Sequence, residues 1–328
     1  MAEFKTLQAA ADQIGTGALE VPVFESEIVD LVRRSSVALK RMPGTRATGH
    51  PHRYFEQTAI VSAGFTDPRN ITTTPGGPTR VERAAMIKAI TAQSNIGLFD
   101  KDVTEQQGQF ASVVAKDVED IVSGIVVTQG KNFWNGSDTS LTTPTTIEYV
   151  GALTQLQNGG QTAQIAVGSS IIDGLKTQVA NMMANPTFDV MPTAIYANPV
   201  LLDLIDQEAK TLHRELETME VTAGVTVAAI STQAGKLPLI PDSYIPSDTT
   251  AKYGFTAPGA SQKNYYAAIL TESMVERPYI SGKEDNPNPR LFQLGLVGNL
   301  SGQHVGAMFN CVIVKGATYA HSLVAVTR

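Results

Sequence analysis

Five histidines, one cysteine and 31 acidic residues are the groups with which this chain of 328 residues could do chemistry. His50 and His52 stand in the run HPH, where two imidazoles close together could begin a metal site. No third ligand follows at a recognisable spacing and the flanking sequence is basic, so both read as surface histidines. His213 and Glu217 lie four apart in HRELE, the pattern of a solvated helix face. Cys311, in the apolar run AMFNCVIV, reads as a buried, inert thiol, and a lone cysteine allows no intrachain disulfide. The run PGGP at 75–78 lacks the Gly-Lys-Ser/Thr that follows in a phosphate loop. GSS at 168–170 lacks the Gly-x-Ser-x-Gly elbow and reads as a helix cap. DNPNPR at 285–290 reads as a tight loop, and Glu119 with Asp120 as a solvated helix face. The reading is therefore of no catalytic residue, no cofactor site and no metal site. A triad set in space rather than in sequence keeps a soluble enzyme among the alternatives.

Composition points to a folded, loop-rich protein with a muted surface. Apolar residues make up 42% and charged residues 17%, with 27 glycines and 17 prolines to build turns. Low charge suits surface buried against other chains, and equally a protein rich in Thr, Ser and Gln. A net charge of −6 argues against direct wrapping of nucleic acid. One stretch departs from this: Arg33, Arg34, Lys40, Arg41, Arg46 and Arg53 follow one another with no acid among them. It reads as a solvated arm paired with acids elsewhere, or as a segment that meets acidic neighbours or DNA phosphate. No apolar signal core opens the chain and no apolar run approaches ~18 residues, so folding in a cytoplasm is expected, with no membrane involved.

The elements that would position these groups start with a weakly helical arm, broken at PGTRATGHPH. RYFEQTAIVSA (53–63) is aromatic and β-branched, hence a strand, and RVERAAMIKAIT (80–91) is read as its hairpin partner. Arms of that length would reach about 35–40 Å at ~3.3 Å per residue, too far for a hairpin to stand in water unsupported. Their tip, FTDPRNITTTPGGPT, is made of turn residues and hydroxyls. Phe110, Val113, Val114, Val118, Ile121, Val122, Ile125 and Val126 then recur at helical spacing, predicting a helix from Glu105 to Thr128 with a cap at Thr104 and Gln107. A turn-rich exit holding the only tryptophan, Trp134, is expected after it. SSIIDGLKTQVANMMANP predicts a helix capped at Ser169 or Ser170. TAIYANPVLLDLIDQEAK predicts a strand, then a helix capped by Asn198 with Pro199 at its first position. GVTVAAIST and KLPLIPDSYIP read as strand then loop. KNYYAAILTESMVERPYIS, RLFQLGLVGNLSG and AMFNCVIVKGATY read as three strands, which gives α+β rather than regular βαβ alternation.

Taken in order, the pieces are a basic arm, a long hairpin with a Thr/Pro/Gly tip and an amphipathic helix, FASVVAKDVEDIVSGIVVTQG, closing in NFWNG. A mixed region with AIYANPVLLDLI and GKLPLIPDSYIP follows, then strands beginning near ESMVERPYIS. The series resembles the major capsid proteins of tailed bacteriophages, which share the HK97 fold, over most of the chain. The resemblance implies an HK97-like α+β fold in five parts: an N-terminal arm over 1–52, an extended β-hairpin loop over 53–95, a peripheral domain with a long spine helix over 96–145, an axial domain over 146–257, and a return to peripheral strands and the C-terminal end over 258–328. It also implies a shell of hexamers and pentamers in a virion, assembled in the host bacterial cytoplasm. That shell would enclose double-stranded DNA without sequence-specific binding, and the subunit would be no enzyme. Thr66, Asp67, Arg69, Asn70, Ile71, Thr72, Thr73 and Thr74 at the loop tip, with Arg33, Arg34, Lys40 and Arg41 on the arm, would be contacts between subunits.

Other partners follow from the same likeness. Some members carry a long N-terminal scaffolding segment. Here too little sequence precedes VPVF, so a separate scaffolding protein is expected, with a portal and room for a decoration protein. Some members cross-link Lys to Asn between subunits, but nothing here marks a reactive pair. Two other readings stay open: an encapsulin, a compartment of the same fold that holds cargo enzymes, and the soluble enzyme noted above.

Overall fold

The computed structural model describes residues 36–42, 44–69, 76–97, 99, 102–103, 106, 113–212, 216–222, 225–282, 285–297 and 301–328. In chain order the elements begin with α1 (Val37–Arg41), β1 (Gly44–Arg46), β2 (His52–Ala59), β3 (Thr79–Ala85), β4 (Lys88–Gly97), α2 (Val113–Asn135) and α3 (Ala152–Gly159). Next come β5 (Thr162–Ile165), α4 (Ile171–Met183), β6 (Ala194–Ala197), α5 (Pro199–Thr211), β7 (Glu217–Thr222), β8 (Val225–Thr232) and β9 (Gly235–Pro241). The chain closes with β10 (Ser247–Asp248), β11 (Asn264–Leu270), β12 (Val275–Tyr279), β13 (Arg290–Val297), β14 (Ser301–Asn310), β15 (Ile313–Val314) and β16 (Ser322–Thr327).

The strands form three sheets. One has eight strands, ordered β5-β16-β11-β6-β9-β8-β7 with β10 beside β11. In the second, β14 lies between β13 and β4, and β12 leads on to β1 and β15. The third is the hairpin β2–β3 alone.

Period-two burial explains the large sheet. Tyr196, Ala268, Leu270, Leu323 and Ala325 turn to one face, where they meet Phe133, Trp134, Leu153 and Leu156. Ile195, Ala197, Ile269, Val324 and Val326 turn to the other and pack on Ile171, Leu175 and Val179 of α4 and on Leu201 and Ile205 of α5. Covered on both faces, the central strands carry continuous apolar runs without polar alternation. The caps are as expected: Ser170 Oγ accepts from Asp173 N, and Asn198 accepts from Val200 N with Pro199 behind it.

Four sequence expectations change. The hairpin ladder covers only 52–59 and 79–85, and its register slips between Gln57 and Ala59. The expected second arm breaks at Met86, whose N–H goes to Leu141 O, and its remainder becomes β4, paired with β14 through ten unbroken positions. Secondly, α2 runs through to Asn135, taking in the first part of the expected turn-rich exit, Gln129–Asn135, while the rest stays irregular. Gly130 is tolerated there because a Cβ would lie 3.1 Å from both Tyr244 and Ser36 side chains. Thirdly, KNYYAAILTESMVERPYIS is two strands in two sheets, separated by a single 3₁₀ turn at Glu272–Met274. Lastly, KLPLIPDSYIP, read as loop, opens as the buried strand β9, and β5, β7, α3 and β16 have no counterpart in the sequence reading. Strand β16 is buried along its whole length yet short, so it offers neither period for recognition.

Helix α2 joins the two larger sheets. Ile121 and Ile125 are buried against Met308, with Ile90 and Ala92 alongside, while Val118, Val122 and Val126 are half-buried. The helix sits close because β14 presents Gly306, whose Cβ would come within 2.6 Å of Ile121 Cγ2. Its last turn carries Phe133 and Trp134 into the core of the eight-stranded sheet. The expected helix start at Glu105, the cap at Thr104 and the stripe residue Phe110 lie outside the described residues.

Candidate functional site

The hairpin is the one sheet that neither larger sheet absorbs. Strand β2 alternates: His52, Tyr54 and Glu56 are half-buried toward the body, and Arg53, Phe55 and Gln57 face solvent. Phe55 is 71% exposed and Ile60 78%, and Phe65 is also bare. Among the described residues, attachment to the body gathers at the base. Glu56 Oε1 accepts from Gly316 N at 2.9 Å, and its Oε2 accepts from Arg83 Nε at 3.1 Å. Lys315 pairs with Glu276 at 2.5 Å and lies over the Tyr54 ring at 5.4 Å. Beneath them Tyr54, Ile87 and Leu141 pack on buried Ala85, Cys311 and Ile313. Of the expected tip contacts, Thr66, Asp67 and Arg69 are exposed, and Arg69 N donates to Asp67 Oδ1 at 2.9 Å in a local turn. Asn70, Ile71, Thr72, Thr73 and Thr74 lie outside the described residues.

A cleft of about 630 Å³ opens beside the hairpin base, between Arg53, Tyr54 and Glu82 on one side and Thr139, Asn158 and Thr318 on the other. Its charged groups are spent on each other, Arg53 with Glu82 at 2.9 Å and Arg83 with Glu56. No histidine or cysteine lines it.

The end of the arm is clamped inside the subunit. Asp242, 2% exposed, accepts at Oδ2 from Ser36 Oγ, Ala38 N and Trp134 Nε1, and at Oδ1 from Tyr244 N. Arg277 closes the other end of α1, donating to Met42 O and Leu39 O. Arg41 forms a fork on Glu272 at 2.7 and 2.9 Å, and Tyr196 donates to the same carboxylate. Donating to the Glu272 carboxylate holds the Arg41 guanidinium above even its ordinary high value. Arg41, expected to reach a neighbour, is paired with Glu272 of its own chain and stays about one-fifth exposed. Lys40 is exposed. Arg33 and Arg34 lie outside the described residues.

The remaining chemistry is structural. His50 is exposed, whereas His52 is half-buried and held below its usual value by burial. His321 is fully buried: Nδ1 accepts from Thr271 N at 3.2 Å, and Nε2 lies 3.0 Å from Lys315 O. Cys311 is 1% exposed, and burial pushes its thiol up to about 12, far from thiolate reactivity. His213 lies outside the described residues. Among the described residues no group of three or more His, Cys, Asp or Glu could hold a metal, and no helix is long and apolar enough to cross a membrane. Asp242, Glu272 and Glu56 carry no motif; only their three-dimensional partners distinguish them.

No protein-family model matches the chain, and no curated protein matches it. Solved structures do. The encapsulin of the holo-SrpI complex from Synechococcus elongatus PCC 7942 is similar at TM-score 0.62 and 12% identity, over 99% of this chain and 95% of that one. Gordonia phage Cozz gives TM-score 0.62 and 11% identity over 94% of this chain and 91% of that one. The head structure of Helicobacter pylori bacteriophage KHP40 gives 0.61 and 9%, over 99% of this chain and 98% of that one. At such identities the fold is what is held in common, and these matches run nearly end to end. The chain has the mixed α+β, HK97-like fold.

Proposed function

We propose that the chain is the major capsid subunit of a tailed phage, a structural protein that assembles with copies of itself into an icosahedral shell around double-stranded DNA. One observation carries this reading. A fold like that of phage heads bears a two-stranded hairpin outside both larger sheets, with Phe55, Ile60 and Phe65 in solvent. A lone hairpin is marginal in water, and a neighbouring subunit would supply the support it lacks. The hairpin with its tip is then the extended loop, α2 the spine helix, and the sheet under α2 the peripheral domain. The eight-stranded sheet is the axial domain, which then takes in β11 and β16 from the stretch 258–328, expected to return to peripheral strands. Thr66, Asp67 and Arg69, with Asn70–Thr74, are assigned to contacts between subunits, as are Arg33, Arg34, Lys40 and Arg41 on the arm.

Hexamers and pentamers, a separate scaffolding protein, a portal and a place in the virion belong to the same reading. The net charge of −6 supports an inner wall that does not grip packaged DNA, because phosphate affinity grows with each neutralising Lys or Arg. Electron microscopy of the purified protein is the test. Closed shells are expected, and a monomer or dimer by sedimentation would overturn the reading in favour of a soluble enzyme. The encapsulin likeness favours a second reading, a compartment filled with protein. Mass spectrometry of purified particles separates the two, by a cargo enzyme on one side and portal and tail proteins on the other.

A further inference from the structure

Asn135 ends α2, and its side-chain oxygen takes two donors from one short stretch of chain. Lys252 Nζ donates to Oδ1 at 2.9 Å, and the Tyr253 hydroxyl donates to it at 2.5 Å. Both come from the loop that joins β10 to β11. Asp248, at the end of β10, lies beside the amine, with Oδ2 3.7 Å from Lys252 Nζ. That oxygen is buried and accepts no hydrogen bond among the described residues. A buried polar atom left in this state calls for an explanation.

The local backbone is also unusual. Tyr253 is 6% exposed and has φ 52°, in the left-handed region that a bulky side chain rarely enters. Its ring is set edge-on to Tyr266 at 5.1 Å and lies under Lys252 Nζ at 4.9 Å. Burial raises the phenol above its ordinary value, so it keeps the proton that it donates to Asn135. Strain of this kind persists where packing holds side chains in a set arrangement.

An amine, an amide carbonyl polarised by a phenol and a carboxylate with a free oxygen are the parts of an amide exchange. With Nζ 2.9 Å from Oδ1 and a C=O bond of ~1.23 Å, Nζ lies within about 4 Å of Cγ, and attack needs about 3–3.5 Å. The backbone nitrogen of Gly136, the usual competitor for an asparagine side chain, is tied to Asn132 O at 3.0 Å.

We propose that Lys252 and Asn135 of one subunit join in an isopeptide bond, with Asp248 as the proton carrier and the Tyr253 hydroxyl as the donor to the oxyanion. Asp248 takes a proton from the Lys252 ammonium, and the amine lone pair forms a bond to Asn135 Cγ. The carbonyl electrons move to Oδ1, where the Tyr253 hydroxyl stabilises the charge. Asp248 hands its proton to Nδ2 and takes a second from Nζ. The electrons then return, the Cγ–Nδ2 bond breaks, and ammonia leaves with the last proton as ammonium. One ammonium is consumed and one released, with no change of oxidation state. The two residues stand 117 apart in the chain, so the bond would tie the end of the long helix covalently to the eight-stranded sheet. It lies inside one subunit and is independent of the shell reading.

Peptide mass spectrometry of the full chain, digested after denaturation, tests it. The expected product is a branched peptide that joins the Asn135 segment to the Lys252 segment and is lighter than their sum by one ammonia. Trypsin is expected to pass over Lys252. Tyr253→Phe is expected to slow the joining by about 100-fold. Asp248→Asn keeps the shape of the side chain and is expected to leave the two peptides separate. Separate peptides of full mass from the unaltered chain would overturn the bond and leave Lys252 as a hydrogen-bonding side chain only. So would loss of ammonia at Asn135 without joining, which marks a ring closed on Gly136. Joining in Asp248→Asn at the unaltered rate would overturn the role of Asp248.

Discussion

Trp134 donates its indole N–H to Asp242 Oδ2 at 3.0 Å, and both residues are buried. The bond ties the last turn of α2 to the loop that leaves β9. The same oxygen also accepts from Ser36 and Ala38, so one carboxylate joins the arm, the long helix and the eight-stranded sheet. Asp242→Ala would strand three buried donors and the half-buried N–H of Tyr244. At about 1–3 kcal/mol for each donor left without a partner, less whatever water recovers, a loss of about 3–6 kcal/mol is expected in denaturant titrations of the unassembled subunit. Trp134→Phe removes one donor and should cost about 2 kcal/mol. A smaller loss for Asp242→Ala than for Trp134→Phe would show that the carboxylate is not the organising group.

Gly306 sets how closely α2 approaches the sheet. A Cβ there would fall 2.6 Å from Ile121 Cγ2 and 2.7 Å from Ile125 Cδ1, well inside van der Waals contact. Gly306→Ala is expected to destabilise by about 1–3 kcal/mol through overpacking. Adding Ile125→Val deletes one of the two clashing methyls and should recover part of that loss. If the double variant is as unstable as the sum of the singles, the clash is not what Gly306 avoids.

His321 gives the fold a defined response to acid. Burial, the leading cause, pulls its value down to about 4, against an opposing hydrogen bond to Lys315 O. Because the folded value lies below the ordinary 6.5, the folded chain prefers the neutral ring. That stabilisation is complete above pH 6.5, declines as pH falls toward about 4, and is gone below it. At ~1.4 kcal/mol per unit the full effect is about 3 kcal/mol. His321→Gln should flatten the pH dependence of subunit stability between pH 7 and 4.5. His52, also lowered by burial, remains in that variant and leaves a residual slope of the same sign. An unchanged slope in His321→Gln would locate the acid response elsewhere.

How far the sequence could be read follows from where each pattern is local. The helices α4 and α5 announce themselves through Ser170, Asn198 and Pro199, because a cap is a contact between near neighbours in the chain. The order of arm, hairpin and long helix is also linear information, and it leads to the fold. Where the chain changes sheets, the pattern gives no warning. Met86 and Ile87 look like strand, yet they carry the chain from the hairpin into β4, because Leu141 O and the small cluster around Cys311 draw them inward. Likewise Gly130 reads as a stop signal until Tyr244 and Ser36 occupy the space beside it. The partners of Glu56, Arg41 and Asp242 lie 260, 231 and up to 206 residues away, beyond the reach of spacing arguments.

The basic run separates into residues with different work. Arg41 and Glu272 are about one-fifth exposed and joined by a fork, so Arg41→Gln should cost the unassembled subunit about 1–2 kcal/mol. Lys40 is exposed, and Lys40→Gln should leave folding unchanged within ~0.5 kcal/mol. An effect of Lys40→Gln on shell yield would then report on contacts between subunits alone. Equal stability losses in the two variants would contradict the assignment of Arg41 to its own chain.

Deleting the hairpin tip separates folding from assembly. Within TDPRNITTTPGGP (66–78) only Ile71 is a large apolar side chain, so joining Phe65 to Thr79 through a short glycine-containing turn removes little that a core could use. The shorter loop lowers the closure entropy slightly, which favours the folded subunit. The base is untouched, since Glu56, Tyr54 and Arg83 hold it to Gly316 and Lys315 independently of the tip. Assembly has no such reserve. A contact repeated in every subunit multiplies a loss of even ~1–2 kcal/mol per copy, and a closed symmetric shell forms only when each type of interface closes. The expected product has the circular dichroism of the intact subunit and sediments as small oligomers. Shells of normal size from the shortened chain would remove the tip from the interface and leave Ile60–Phe65 as the part of the hairpin that contacts a neighbour.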